Sequence, residues 1–225
     1  MEALFAHSQV LGQLPPSDQA QLARRMQQRT FRRGDVVVRQ GEPGSSLHLV
    51  MAGHFKVVVA AASGDELLLT IIGPGQLFGE IALLDGGPRS ATVVALEAGR
   101  TASLSRADFL DLLRRSPRLL DAVLRGVARL VRREADELTN LVGLDASRRL
   151  AKRLLQLADS HGRPTAGGIE LGLTVTQEEL GAMIGATRVS VNQLLGAFQD
   201  QGILRRCGRR IVLLRPEALE RLVSG

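Results

Sequence analysis

The sequence holds a single cysteine, Cys207, among its 225 residues. An intrachain disulfide scaffold is therefore excluded, as is a four-cysteine zinc or iron–sulfur site. The four histidines, His7, His48, His54 and His161, lack metal-ligand spacing and read as surface or fold residues, so no metal is expected. No apolar run approaches the length of a membrane span. The first ten residues, MEALFAHSQV, have neither a basic n-region nor a long apolar h-region, so secretion by that route is not expected. No nucleophile–base pairing stands out, which argues against an enzyme. These absences point to a cytoplasmic protein with no membrane partner.

What is present is an ordinary globular composition, 44% apolar, with a net charge of +6 that is unevenly spread. Residues 1–115 carry 12 Lys/Arg against 11 Asp/Glu, and residues 116–143 carry 5 against 4. Residues 144–225 carry 12 against 8, so the excess lies in the last third. A small basic module suggests a polyanionic partner, although a solvated basic surface gives the same count.

From Thr30 to Leu104 the chain alternates short runs rich in Val, Ile, Leu and Thr with Gly, Pro and Asp turns, the pattern of an antiparallel sandwich or barrel. Helical patterns flank it at Pro16–Gln28 and from Arg106. Ser116–Val142 reads as one long helix in which Leu120, Val123, Val127 and Leu130 form a narrow a/d stripe. That register continues to Glu134 and Leu141. A narrow seam on a single helix predicts a dimer interface. Asp145 is a good N-cap for an amphipathic helix closing at Gly162. A Gly/Pro-rich loop to Gly168 and a short strand over Leu171–Val175 follow.

Within the basic third, Thr176 and Glu179 have capping-box spacing for a helix over Gln177–Ile184. Gly185 supplies a turn, and a second helix runs from Thr187 to Gln201. This is a helix-turn-helix, locked by Ala182, Ile184, Val191 and Leu194. Its free face carries Thr187, Arg188, Val189, Ser190, Asn192 and Gln193. The stretch ILRRCGRRIVLL then forms a basic hairpin, or wing. Such a helix enters the major groove of double-stranded DNA, where Arg188 can bond guanine O6 and N7. Thr176, Gln177, Arg205, Arg206, Arg209 and Arg210 are placed to touch phosphates.

The stretch FGEIALLDGGPRSATV sets Glu80 and Arg89 among core-type residues around a glycine-rich loop. A short helix starting near Gly79 offers backbone N–H groups to an anion. Arg89 can clamp a phosphate through two parallel bonds. Glu80 cannot face a phosphate, but it can accept from sugar hydroxyls, and a phosphate beside a ribose is a nucleotide.

These residues resemble the phosphate-binding cassette of cyclic-nucleotide-binding domains, F-G-E-[IL]-A-L followed by P-R-[ST/A]-A-[TS]-V. With GEPGSSLHLVMAG, the long helix and the helix-turn-helix in the expected order, nearly the whole chain resembles the bacterial regulators typified by catabolite activator protein and the fumarate–nitrate reduction regulator. The resemblance implies an α+β fold of three parts. Residues 1–115 would form an antiparallel, jelly-roll-like β-roll with flanking helices. Residues 116–143 would form a long dimerisation helix, and residues 144–225 a winged helix-turn-helix. It further implies a homodimer on a palindromic DNA site, controlled by cyclic AMP or cyclic GMP. RNA polymerase would be a partner, touched by the loop Asp159–Gly168. Glu80 would take the ribose 2′-OH and Arg89 the cyclic phosphate, supported by Ser90 and by the backbone at Gly79, Ile81 and Ala82. The competing reading is a ligand-independent DNA-binding regulator with a vestigial pocket.

Two departures qualify that picture. Cyclic AMP-responsive relatives place Thr or Ser where this dimer helix has Glu134 and Ala135. A carboxylate there could accept from guanine N1–H and N2–H₂, accept once from adenine, or stand exposed at a loosened seam. Val189 replaces a Glu that reads cytosine in those relatives, and its methyls suit a thymine methyl instead. TRVSVNQLLG is closer to the recognition helix of the cyanobacterial global nitrogen regulator.

Overall fold

The computed structural model describes residues 5, 8, 11–60, 66–208 and 210–224, with the side chains of residues 13, 133, 134 and 136–143 outside that description. Two compact units divide the chain, residues 1–133 and 134–225.

The first unit is a β-roll of two four-stranded antiparallel sheets. One is ordered β1 (Gln27–Phe31), β8 (Gly99–Ser105), β3 (Ser46–Ala52) and β6 (Leu77–Phe78). The other is ordered β2 (Val36–Val38), β7 (Thr92–Ala95), β4 (Phe55–Ala60) and β5 (Glu66–Ile72). Helix α1 (Pro16–Arg25) precedes β1, α2 (Glu80–Asp85) follows β6, and α3 (Arg106–Arg115) follows β8. Inward residues of the first sheet, Leu47, Leu49, Ala102 and Leu104, pack with Leu22, Leu83 and Phe109 from the helices. Val50, Phe55, Ile72, Phe78 and Val93 form a second cluster.

The helical pattern expected over Pro16–Gln28 stops earlier. Met26 caps α1 in an extended conformation, and Gln27–Phe31 pairs antiparallel with Phe31↔Gly99 and Gln27↔Ser103. Pairing with a distant strand outweighs the local helical preference of the two glutamines.

Helix α4 (Pro117–Gly143) also departs from the expected stripe. Val123 is 6% exposed and joins Leu119 in the core beneath the roll, so it is unavailable to a seam. The apolar residues left outward are Leu120, Leu124 and Val131, at 43%, 59% and 62% exposure, with Val127 partly buried between them. The exposed apolar stripe is thus Leu120–Leu124–Val131, with Val127 and Leu130 partly buried beside it, set by which face of the first turns the roll covers. No helix of the described residues is long and apolar enough to cross a membrane.

The second unit opens with α5 (Ala146–His161), capped by Asp145, whose Oδ1 accepts from Arg148 N at 2.9 Å. The segment expected to be a loop to Gly168 is instead a hairpin of β9 (Gly162–Thr165) and β10 (Gly168–Leu171). The strand expected at Leu171–Val175 ends at Leu171 because β10 is held earlier, through Ile169↔Leu213. These strands extend a sheet ordered β11 (Leu204–Cys207), β12 (Arg210–Leu213), β10, β9. Helices α6 (Gln177–Ile184), α7 (Arg188–Asp200) and α8 (Pro216–Ser224) complete the unit. Leu150, Leu154, Leu180, Val191, Leu195 and Leu219 are fully or almost fully buried in it.

Candidate functional site

The cassette is built at the end of β6. Gly79, the N-cap of α2, takes φ +87°, a left-handed conformation that costs a side chain about 1–2 kcal/mol. Its space is also taken. A Cβ there would collide with Arg89 Nη1 and lie 3.0 Å from the Ser46 carbonyl oxygen. Glycine is thus required where the backbone passes closest to the guanidinium. Glu80, Ile81 and Ala82 form the first turn of α2, whose N–H groups have no intrahelical acceptor. Ala82 is buried against Gly44, where an added Cβ would clash with the Ala82 methyl.

The second strand of the cradle runs through Arg89. Its backbone is paired both ways with the turn after β2: Gly41 N donates to Arg89 O at 2.9 Å, and Arg89 N donates to Glu42 O at 2.8 Å. Pro43 and Pro88 form a bridge beside them. The Arg89 side chain is only 5% exposed. Nη1 donates to the Gly79 carbonyl at 3.0 Å, and Nη2 donates to the Ser46 carbonyl at 2.7 Å and to Ser46 Oγ at 3.1 Å. Burial lowers the guanidinium from its ordinary value, while the charges of Glu80 and Glu42 act to raise it. A phosphate clamped through two parallel N–H groups must share Nη2 with Ser46 or displace it. The Arg89 donors and the first turn of α2 suit a small anion. The structure thus brings Gly79, Glu80, Ile81, Ala82 and Arg89 together, with Ser90 exposed beyond them. The side chain of Glu134 lies outside the described residues.

Sequence reasoning missed Ser46 and His48. His48, 2% exposed, lies 2.9 Å from Ser46 Oγ through Nε2 and 3.3 Å from Thr101 Oγ1 through Nδ1. Its ring stacks on Phe78, centroids 4.8 Å apart. Burial, then the positive charges of Arg89 and Arg29, lower its pKa from 6.5 to about 4. The unfolded chain therefore binds a proton here before the folded chain does. The contribution of this group to stability should be constant above pH 6.5, fall as pH drops towards about 4, and change no further below that. The loss is on the order of 3 kcal/mol. Urea midpoints measured across this range should fall more steeply for the wild type than for His48→Gln.

In the second unit, Thr176 and Glu179 close the expected capping box, with Glu179 N to Thr176 Oγ1 at 3.1 Å and Thr176 N to Glu179 Oε2 at 2.7 Å. Gly185 ends α6 in the left-handed conformation, and Thr187 caps α7 by accepting from Ser190 N at 3.1 Å. The two helices are locked by Met183, Ile184, Val191, Leu195 and Phe198, all buried. Ala182 and Leu194, expected in that role, are only partly buried.

The outward face of α7 shows Thr187, Arg188, Val189, Asn192 and Gln193, with Val189 67% exposed and Ser190 partly buried. Asn192 Oδ1 accepts from Gln177 Nε2 at 3.1 Å and from Arg206 Nη1 at 3.0 Å. Gln199 Oε1 accepts from Arg206 Nε at 3.2 Å. Arg206 is thus tied to the recognition helix, and Arg210 faces Glu170 at 3.4 Å. Of the arginines expected to reach phosphates, Arg205 is exposed with no described side chain paired to it, and Arg209 lies outside the described residues.

Residues 28–116 match the family described as cyclic nucleotide-binding domain, and residues 148–222 match the Crp-like helix-turn-helix domain. Those two domains in one chain define the class: a cyclic-nucleotide-binding transcription regulator, and not an enzyme. The chain is 34% identical over 221 residues to the CRP-like cAMP-activated global transcriptional regulator of Mycobacterium tuberculosis, covering 98% of this chain and 99% of that one. It is 32% identical to the cyclic AMP receptor protein of Thermus thermophilus, covering 88% and 89%. The solved structure of a CRP-family transcriptional regulator from Thermus thermophilus matches with a TM-score of 0.74 at 28% identity, covering 88% of this chain and 97% of that one. The chain belongs to the CRP/FNR family of bacterial transcription regulators.

Proposed function

We propose that this regulator is a cytoplasmic homodimer switched by cyclic AMP, with residues 1–115 sensing, 116–143 dimerising and 144–225 binding DNA. The observation that carries the reading is the buried Arg89 guanidinium beside the first turn of α2, a cradle for one phosphate. Arg89, Ser90 and the N–H groups at Ile81 and Ala82 take the cyclic phosphate, and Glu80 takes the ribose hydroxyl. Cyclic AMP is favoured over cyclic GMP by the names of the relatives. Glu134 is the residue whose substitution would move that choice.

The seam Leu120–Leu124–Val127–Val131 has 4–3–4 spacing, which the sequence continues through Glu134, Leu138 and Leu141. Such a stripe pairs with a second copy. A twofold dimer reads an inverted repeat with half-sites one helical turn apart. Arg188 reads a guanine and Val189 packs on a thymine methyl. Asn192 spends its carbonyl inside the protein and offers N–H donors to an acceptor on the DNA. RNA polymerase meets the segment Asp159–Gly168.

Calorimetric titration with cyclic AMP and cyclic GMP, followed by selection from random DNA, tests the reading. Cyclic AMP should bind and raise affinity for an inverted repeat. The second reading, a ligand-independent regulator, draws on the occupation of Arg89 Nη2 by Ser46. DNA binding with no heat from either nucleotide would leave it standing instead. On DNA, Arg188→Ala should cost about 1–3 kcal/mol and relax specificity at one guanine per half-site. Arg205→Ala should weaken all sequences alike and reduce the salt slope by about 1. Competition binding at several salt concentrations separates the two effects.

A further inference from the structure

We infer that His48 is a positioning residue for ligand capture: through Ser46 it holds the Arg89 guanidinium in its binding orientation without touching the ligand. The inference rests on the reading that Arg89 takes the cyclic phosphate.

The hydrogen-bonding capacities of the four residues fit two assignments, since Ser46 Oγ can accept from a His48 Nε2–H as well as from Arg89; the relay is the one in which Ser46 donates to Nε2. A guanidinium has only donors, so Ser46 Oγ accepts from Arg89 Nη2 at 3.1 Å. The Ser46 hydroxyl proton then has His48 Nε2, 2.9 Å away, as its acceptor. With Nε2 accepting, the neutral ring carries its proton on Nδ1, which donates to Thr101 Oγ1 at 3.3 Å. The relay runs Arg89 to Ser46 to His48 to Thr101, and each step fixes the next. His48 and Thr101 are 2% and 0% exposed, so water does not substitute for either. The ring's stacking on Phe78, the residue before Gly79, sets the relay against the start of the cassette.

Its effect falls on Arg89 because an arginine side chain carries large rotamer entropy. Held by Ser46 and by the Gly79 carbonyl, the guanidinium pays little of that on meeting an anion that shares Nη2 with Ser46 and does not displace it. With His48 replaced by a residue that accepts no proton, the Ser46 hydroxyl rotates freely and its lone pairs are no longer kept for Arg89. Capture of the ligand then has to order the side chain, which weakens binding roughly 2- to 13-fold.

The test is calorimetric titration of cyclic AMP into the full chain at neutral pH, with His48→Phe, His48→Gln, Ser46→Ala, Arg89→Lys and the double variants of Arg89→Lys. Phenylalanine keeps the ring stack and removes both nitrogens. Glutamine restores an acceptor for Ser46. His48→Phe and Ser46→Ala should each weaken binding by the stated factor, His48→Gln should recover most of it, and neither loss should persist once Arg89 is lysine. Ser46→Ala carries the test alone if His48→Phe does not fold. Unchanged or tighter binding in both variants, or equal losses with and without Arg89, overturns the relay. Arg89→Leu, titrated alongside because lysine keeps the charge, overturns the phosphate reading on which the relay rests if its affinity equals that of the wild type.

Discussion

Arg89→Leu is expected to weaken cyclic nucleotide binding by about 2–5 kcal/mol, the scale of a buried charge-assisted contact cut on one side. Leucine fills part of the volume but donates nothing. Two effects follow from the geometry. The anion loses its only buried cation in the cassette, and the Gly79 carbonyl, the Ser46 carbonyl and Ser46 Oγ lose their shared donor. The second effect should appear without ligand, as a stability loss of about 1–3 kcal/mol for acceptors left unpaired. Calorimetry reports the first and urea unfolding of the unliganded protein the second. Affinity equal to that of the wild type would remove Arg89 from the binding site.

Gly79→Ala should be nearly as damaging, by a different route. The backbone at φ +87° strains any side chain, and a Cβ would lie 3.0 Å from the Ser46 carbonyl oxygen while colliding with Arg89 Nη1. Conformational strain accounts for about 1–2 kcal/mol, and displacement of the guanidinium should bring the total to about 2–4 kcal/mol. Gly34 is an internal control, since it holds φ +88° with nothing within 4 Å of an added Cβ. Gly34→Ala should show the strain alone and leave ligand affinity intact. Equal unfolding midpoints for the two variants, with affinity retained in both, would mean that the crowding at Gly79 is relieved at no cost.

The parts of this molecule that could be read from sequence are those whose signal is local. The capping box at Thr176 and Glu179, the turn at Gly185 and the cassette around Glu80 and Arg89 each lie within a dozen or so residues. Their chemistry follows from residue type and spacing. Ser46 and His48 could not be found that way. They sit on a strand more than 40 residues before Arg89, and only the roll brings them beneath it. Strands β1 and β10 were hidden for the same reason, because their partners are β8 and β12, while β9 pairs only with β10 across a Gly- and Pro-rich segment that reads as loop. The apolar stripe of α4 was misread at Val123. Periodicity reports apolar positions, but not which of them the roll has already covered, and Val123 is one of those covered.

The pairing of the cassette with the Gly41–Gly44 turn bears on how such sensors are exchanged between proteins. Arg89 takes its backbone partners from Gly41 and Glu42, Pro88 bridges Pro43, and Ala82 fits against Gly44. A chimera that imports only the stretch from Phe78 to Ser90 would bring the residues proposed to meet the ligand but leave behind the turn that aligns them. The portable unit is residues 41–90 as a block, and homologous recombination within it should yield regulators that fold yet no longer hear their signal.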